Sequence, residues 1–196
     1  MSLKAIEKFH DIEEGDIEFL KELEKASKRF EWIPEDKLKK IIAKPEQDIK
    51  YRLERANKFK LVEGKVTKYK GYKILPPGYD ILAIWDLVQE DIIEAFGREL
   101  GIGKEADTYD ALDPENRRVA IKFNRLGLTF TDVKEKRSYG PMPHWIQASK
   151  KAARKEFEAL KKLYPKVEVP EPISFNRHVV VMGLIEGEEL AEISNI

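Results

Sequence analysis

A glycine-rich segment and a lysine that follows it have the residue types of a phosphate-binding site. The segment "LGIGKEADTYDAL" contains Gly101 and Gly103, one residue apart, followed by Lys104 and Glu105. A lone lysine, Lys122, follows an apolar stretch in "RRVAIKFNRLG". Glycines let backbone N–H groups approach a phosphate closely, and a lysine adds a positive charge. Several classes of phosphate-binding loop share these residues, so the surrounding elements decide between them.

The surrounding elements read as three consecutive strands. "DIIEAFGREL" before the glycines and "EADTYDAL" after them are both typical of strands, and "DPEN" at 113–116 is typical of a turn. The third strand, "RRVAIKF", places Val119 and Ile121 on one face and Ala120 and Lys122 on the other. The sequence therefore predicts an antiparallel β-meander with the glycines between its first two strands.

This order excludes two classes of phosphate-binding loop. A Walker loop needs a glycine where the chain has Arg98, and a hydroxyl residue where it has Glu105. A dinucleotide-binding loop opens a helix near its third glycine, whereas here Ala106 precedes a strand-like segment. The protein-kinase arrangement remains, with a glycine loop between two strands and V-A-I-K on the third, which occurs verbatim at 119–122.

A kinase site also needs a glutamate that holds the strand lysine. The segment "HWIQASKKAARKEFEALKKLYPK" predicts a long helix, in which Glu156 lies four residues after Ala152 and four before Leu160. Glu156 therefore shares their inward face and is the expected partner of Lys122, whereas Glu158 points elsewhere. A surface pair along the helix is the alternative. Two further strands follow, and the second, "HVVVMGLI", ends where a kinase hinge would contact adenine.

The N-terminal part predicts three helices and a β-hairpin, the pattern of a winged helix-turn-helix. The helices lie in "DIEFLKELEKASKRF", with Asp16 as the expected N-cap, "IPEDKLKKIIAK" and "PEQDIKYRLERANKFKLV". The hairpin is expected to turn at Glu63-Gly64, and "GYDILAIWDLVQED" returns to helix. We expect a winged-helix domain at 1–91 and a kinase-like N-lobe at 92–196, an α+β fold.

Charge is segregated along the chain. Its overall net charge is zero, but the stretch from Lys37 to Lys73 contains thirteen lysines and arginines against four acidic residues. Such a surface can bind nucleic-acid phosphates, and Tyr51, Tyr69 and Tyr72 could stack on bases or merely cover a small core. The candidate nucleic-acid-binding residues are Lys50, Arg52, Arg55, Lys58, Lys65 and Lys68.

Composition bounds the remaining possibilities. The chain has 196 residues, of which 42% are hydrophobic and 37% charged, enough for one or two domains with a core. It contains no cysteine, which excludes disulfides and thiolate metal sites. No apolar run approaches the ~20 residues of a membrane-spanning helix. We expect a soluble cytoplasmic protein.

Several stretches together resemble the RIO family of atypical serine/threonine protein kinases, most closely its Rio-two subfamily. They are "YKGYKILPPGYDILA", "GIGKEADTYDA", "VAIKFNRLGLTFTDVKEKRSYG", "KKAARKEFEALKKLY" and "VVVMGLIEG". The resemblance implies a winged helix joined to a kinase N-lobe, ATP and Mg²⁺ as cofactors, and phosphoryl transfer or ATP hydrolysis. It also implies a role in maturation of the small ribosomal subunit, with the subunit precursor or rRNA as a partner.

The resemblance also assigns roles to individual residues. Lys122 would bridge the α- and β-phosphates and pair with Glu156. Met182 would be the gatekeeper, and backbone groups of Gly183 and Ile185 would face adenine. The residues that would line the triphosphate are Gly101, Ile102, Gly103, Lys104, Glu105 and Ala106.

The chain departs from the family pattern at three places. The family often has serine where this chain has Ala106, and usually glutamate where it has Gly183. The His-x-Asp catalytic loop and the Asp-Phe metal loop are absent from the sequence, and none of His10, His144 and His178 begins a His-x-Asp. We expect the catalytic aspartate beyond Ile196, in a longer protein of which this is a part; a natural non-catalytic chain is the alternative.

Two alternative functions fit the same residues. One is a winged-helix nucleic-acid-binding regulator whose second domain is an interaction module, and the other is a non-catalytic ribosome assembly scaffold. The stretch from Leu126 to Pro143 carries Thr129, Thr131 and Ser138 among basic residues. This stretch is either a loop over the nucleotide and a phosphorylation target or a solvated connector.

Overall fold

The computed structural model describes residues 7–66, 68–126 and 144–187. Within these residues, the N-terminal half contains a short 3-10 helix (Phe9–Asp11), four α-helices and a three-stranded sheet in the order β1-β3-β2. The helices are α1 (Glu14–Ser27), α2 (Glu35–Ile41), α3 (Glu46–Lys58) and α4 (Pro76–Gln89). The strands are β1 (Ile33–Pro34), β2 (Val62–Val66) and β3 (Lys70–Ile74). This arrangement is the predicted winged helix-turn-helix.

Proline and acidic side chains set the helix starts. Pro34 and Pro45 occupy the N-cap positions of α2 and α3, where a missing N–H costs nothing. The prediction that Asp16 caps α1 is wrong, because α1 begins at Glu14 and its N-cap is Glu13, three residues before Asp16. Asp16 instead completes a capping box by accepting a hydrogen bond from the Glu13 N–H at 3.1 Å.

The predicted hairpin turn at Glu63-Gly64 is also wrong. Both residues lie within β2, and Gly64 is paired with Tyr72 of β3. A Cβ atom on Gly64 would lie 3.1 Å from the Tyr72 ring, so this glycine makes room for an aromatic side chain rather than for a turn. The chain reverses after Val66.

The C-terminal half is a five-stranded antiparallel sheet with one long helix. The sheet order is β4-β5-β6-β8-β7, and β4, β5 and β6 form the predicted meander. Its strands are β4 (Ala95–Ile102), β5 (Ala106–Leu112), β6 (Arg118–Asn124), β7 (Pro172–Asn176) and β8 (Val179–Gly183). Helix α5 (His144–Leu163) lies between β6 and β7 in the chain and packs on the sheet. The α+β fold class is therefore confirmed.

Helix α4 belongs to the cores of both halves. Its residues Tyr79 and Leu82 pack in the winged-helix core, whereas Ala83, Ile84 and Leu87 pack against the sheet. The sheet face that receives them carries Val119, Ile121 and Phe123. The boundary expected near residue 92 lies in the connection between α4 and β4, but burial of α4 from both sides joins the halves into one packed unit.

A buried ion-pair network reinforces this junction. Arg125, just after β6, forms two hydrogen bonds to Asp80 of α4, at 2.7 and 2.9 Å, and a third to Asp107 at 3.1 Å. His178 Nε2 lies 2.8 Å from Asp80, and His178 Nδ1 has no hydrogen-bond partner among the described residues. Arg125 Nη1 lies 3.1 Å from His178 Nε2, and in the Nε2–H tautomer the ring donates to Asp80. Burial lowers the pKa of His178, which keeps the ring neutral.

A second network surrounds Arg177 in the turn between β7 and β8. Its guanidinium donates to Glu24 of α1 at 2.8 Å and to Asp86 of α4 at 2.7 Å. Lys150 of α5 also contacts Glu24, at 2.7 Å. Burial alone would raise the pKa of Glu24, but hydrogen bonding and charge from Arg177 and Lys150 lower it overall. The two networks fix the orientation of the sheet relative to the winged helix.

Candidate nucleotide-binding site

The glycine segment forms the tip of the β4–β5 hairpin. The Gly103 N–H donates to the Ala106 carbonyl at 2.8 Å, so Lys104 and Glu105 are the two residues at the tip. The Glu105 carbonyl in turn accepts a hydrogen bond from the Arg125 N–H at 2.6 Å. The tip is thereby tied to the end of β6, the strand that carries Lys122.

One row of residues crosses the sheet from the glycine segment to Lys122. Gly101 is paired with Thr108, Thr108 with Lys122, and Lys122 with Val180. Directly paired residues in an antiparallel sheet project to the same face. Gly101 and Lys122 therefore lie on one face, opposite to the face that packs on α4.

Lys122 and Glu156 form the ion pair expected from the sequence. Lys122 Nζ lies 2.6 Å from Glu156 Oε1, and the two side chains are 30% and 28% exposed. Ala153 of the same helix is fully buried, with Phe157 packed beside it, whereas Glu158 is exposed. Helical spacing thus turns Glu156 toward the sheet and Glu158 away from it, as predicted.

The space beside Lys122 suits a phosphorylated ligand. An added Cβ on Gly101 would meet no atom of the described chain within 4 Å, so internal packing does not require glycine there. A Cβ on Gly103 would lie 3.2 Å from the Ala106 carbonyl oxygen, which makes this position tight. The bare backbone at Gly101 leaves open the space that a phosphate group would need near an N–H donor.

An apolar cluster continues the same face toward the end of β8. Ala120 and Met182 are directly paired and nearly buried, and Leu100 and Leu184 pack against their cluster. Ile102 and Ile185 are 54% and 62% exposed. Gly183 donates its N–H to the Glu171 carbonyl at 2.8 Å, so an adenine contact by Gly183 would have to use its carbonyl oxygen. This end of the face is therefore lined by apolar side chains.

Metal binding, phosphorylation and membrane insertion were each considered for the described residues. Within residues 7–66, 68–126 and 144–187, no group of three or more histidine, aspartate and glutamate residues could hold a metal ion. Thr129, Thr131 and Ser138, which the sequence leaves as either phosphorylation targets or part of a solvated connector, lie outside the described residues. None of the helices within these ranges is long and apolar enough to cross a membrane.

The candidate nucleic-acid residues divide into two groups. Arg52 contacts Glu13 and also Asp16, the latter at 3.0 Å, and Arg55 donates to Asp16 at 2.8 Å. Burial would raise the pKa of Asp16, but hydrogen bonds from Arg55 and Arg52 lower it overall. The guanidinium groups of these two candidates are thus engaged in ion pairs that hold α3 against α1, and their contact with a nucleic acid stays a prediction.

The other candidates remain on the surface. Lys50, Lys58, Lys65 and Lys68 are exposed, and none forms an ion pair within the described part of the chain. Lys65 lies 5.6 Å from the Trp32 ring centre, a cation–π distance. Of the three tyrosines, Tyr51 and Tyr69 are nearly half exposed. Tyr72 is buried and donates a hydrogen bond to Glu35, so it cannot stack on a base.

Comparison with known proteins is consistent with this geometry. A family model described as "Rio2, N-terminal" matches residues 9–90, and one described as "RIO domain" matches residues 107–196. The chain belongs to the RIO family. A RIO-type serine/threonine-protein kinase Rio2 from Methanocaldococcus jannaschii is 42% identical over 167 residues, which are 83% of this chain and 61% of the relative. The resemblance seen in the sequence is thereby confirmed.

Two further RIO proteins extend this comparison. A serine/threonine-protein kinase rio2 from Dictyostelium discoideum is 33% identical, over 93% of this chain and 36% of its own length. The crystal structure of a Rio2 kinase–ADP/Mg²⁺–phosphoaspartate complex from Chaetomium thermophilum matches with a TM-score of 0.82 and 28% identity, over 97% of this chain and 58% of that one. This RIO chain thus spans about one third to three fifths of the length of these relatives.

The residues that fix the RIO site to the winged helix were not predicted from the sequence. Asp80 and Arg125 are 45 residues apart in the chain, and although both lie in stretches that resemble the family, the sequence assigns neither a role. One signal was available: Asp80 is a lone charge within the apolar helix segment "GYDILAIW". A carboxylate in such a position is buried only if it is paired.

Proposed function

We propose that this chain supplies the ATP-binding half of a RIO-type serine/threonine kinase or ATPase. The observation that carries the proposal is the Lys122–Glu156 ion pair, on the same sheet face as the open backbone at Gly101. Membership of the RIO family supports it, as does the similar Chaetomium Rio2 kinase, which is a complex with ADP and Mg²⁺. The cytoplasm is the compartment that we propose for it.

Each residue of the site has a distinct proposed task. Lys122 donates charge-assisted hydrogen bonds to phosphate oxygens, and Glu156 holds its ammonium group in place. The backbone of the 101–106 hairpin lies against the phosphates, and the surface around Met182 receives the adenine ring. Mg²⁺, when bound, neutralises phosphate charge; its ligands and the catalytic aspartate are proposed to lie outside the described residues.

We further propose that the winged helix contacts the precursor of the small ribosomal subunit or its rRNA. Lys50, Lys58, Lys65 and Lys68 support this proposal, because they are exposed cations on α3 and the hairpin without carboxylate partners in the described chain. Arg52 and Arg55 support it only indirectly, by holding α3 in place.

A turnover assay on the full-length protein tests the enzymatic part. Replacing Lys122 or Glu156 with alanine should sharply reduce phosphate release from ATP, since the first change removes the phosphate contact and the second removes its orientation. Glu158→Ala, on the outer face of the same helix, is the matched control and should retain wild-type turnover. Equal turnover in all four proteins would refute the proposed role of the pair.

A further inference from the structure

The outer face of α5 carries a dense set of exposed cations. We call it the cationic row, and its members are Lys151, Arg154, Lys155, Lys161 and Lys162. Their spacing of three, four or seven residues places them along one side of the helix, opposite to Ala153 and Glu156. Glu158 and Ala159 are the other exposed residues between the first and last members of the row.

Like Lys50 and Lys58 of α3, the members of the row are cations that no described carboxylate neutralises. Among the described residues, no ion pair or hydrogen bond is formed by any of its five side chains. Lys150, the neighbour of Lys151, is bound to Glu24, and Arg52 and Arg55 of α3 are bound to Asp16. Among the described helices, α5 therefore presents the largest set of unpaired cations, five against the two of α3, Lys50 and Lys58.

The helix that presents the row is held firmly. Trp145 and Ile146 at its start are buried in the winged-helix core, and Ala153 is buried against the sheet. Lys122 adds an ion pair to Glu156 on the inner face. Neighbouring members of such a row are about 5–6 Å apart, and positions 151 to 162 span roughly 16 Å of helix. A rigid line of charges at this spacing suits an extended polyanion.

We propose that the cationic row binds the phosphate backbone of a nucleic acid. The surface carries no apolar side chain larger than Ala159 between residues 151 and 162. It therefore lacks the apolar face of a helix that inserts into a membrane interface and the aromatic anchors of a protein interface. Just past the row, Leu163 and Tyr164 are 43% and 41% exposed, and the tyrosine ring is available to stack on an unpaired base.

This surface is separate from both sites of the proposed function. It faces away from Lys122, whose partner Glu156 lies on the inner side of α5, and it belongs to a different element from Lys65 and Lys68 of the hairpin. An experiment can therefore disprove nucleic-acid binding by the row without affecting the proposed ATP site, and can disprove the ATP site without affecting the row. The row and the hairpin lysines would give the protein two phosphate-binding surfaces.

Salt-dependent binding measurements test the proposal. Fluorescence anisotropy with labelled duplex RNA, single-stranded RNA and duplex DNA would compare the intact chain with a triple variant, Lys151→Gln, Arg154→Gln and Lys155→Gln. The control variant, Lys25→Gln, Lys28→Gln and Arg29→Gln, removes the same charge from exposed positions at the end of α1. Circular dichroism and thermal melting check that both variants fold.

The expected result is a loss of at least tenfold in affinity in the row variant at low salt, for the RNA or DNA form that binds best. Each lost phosphate contact should also reduce the slope of log K against log salt concentration by ~0.7–0.9. Glu158→Lys, which adds charge within the row, should tighten binding. Equal affinities and slopes in the row and control variants would overturn the proposal, as would binding of the row to anionic vesicles but not to any nucleic acid.

Discussion

Arg125 and Asp80 form a fully buried bidentate ion pair that joins the strand bearing Lys122 to helix α4. The two hydrogen bonds measure 2.7 and 2.9 Å, and the side chains are 5% and 0% exposed. Burial alone would raise the pKa of Asp80, but the charge of Arg125 and the hydrogen bond from His178 lower it overall. The position of the candidate nucleotide site relative to the winged helix depends on this contact.

Replacing Asp80 with asparagine should destabilise the protein strongly. The change leaves the Arg125 guanidinium buried without its charge partner, and breaking a buried pair in this way costs about 3–5 kcal/mol. Urea unfolding followed by circular dichroism measures the loss. Glu18→Gln, which removes an exposed pair with Lys44, is the control and should change the unfolding free energy little. Similar losses in the two variants would contradict a special role for the buried pair.

Stability should also fall on acidification, in two stages. The pKa of His178 is below its ordinary value of 6.5 in the folded state, so the unfolded chain binds more protons as pH falls below about 6.5. The lowered pKa values of Asp16, Glu24 and Asp80 add a second loss as pH falls through the carboxylate range. Above pH 7, the stability contributed by His178 and by the three carboxylates is fully present.

Unfolding free energies measured between pH 7.5 and 5 test the first stage. His178→Gln keeps a side-chain N–H for Asp80 but does not titrate, so its stability should depend less on pH in this range than that of the wild-type chain. His10→Gln, at an exposed position outside the network, should preserve the wild-type profile. A wild-type profile in His178→Gln would show that another group titrates.

The cations of the winged helix should separate into structural and binding residues. Asp16→Asn or Arg55→Gln should reduce stability by about 1–3 kcal/mol, because charged hydrogen bonds between α1 and α3 are lost. The combined changes Lys50→Gln, Lys58→Gln, Lys65→Gln and Lys68→Gln should instead leave stability nearly unchanged and weaken RNA binding. Thermal melting and anisotropy distinguish the two effects. If the four lysine changes leave both unaltered, the proposed winged-helix surface is wrong.

Local spacing explains which parts of the fold were predictable. The strand order around Gly101 follows from short strand-like segments separated by turn residues. The contact of Lys122 with Glu156 follows from helical periodicity, since positions four apart share a helix face. Gly64 was mistaken for a turn because its role depends on Tyr72, a residue of the neighbouring strand. The sequence shows the charge of Arg55 and so suggests a nucleic-acid contact. It does not show that Arg55 pairs with Asp16, because the two residues are 39 positions apart.

Calorimetric titration of the full-length protein tests most directly whether Lys122 contacts the phosphates of a bound nucleotide. The ligands are ATP, ADP and adenosine, each with Mg²⁺. Lost hydrogen bonds to charged groups cost about 1.5–3 kcal/mol each, so Lys122→Ala should weaken ATP and ADP binding by at least about tenfold. Affinity for adenosine, which has no phosphate, should remain that of the wild-type protein. If Lys122→Ala binds ATP as tightly as the wild-type protein, or loses affinity for adenosine to the same extent as for ATP, the assignment of Lys122 to the phosphates is wrong.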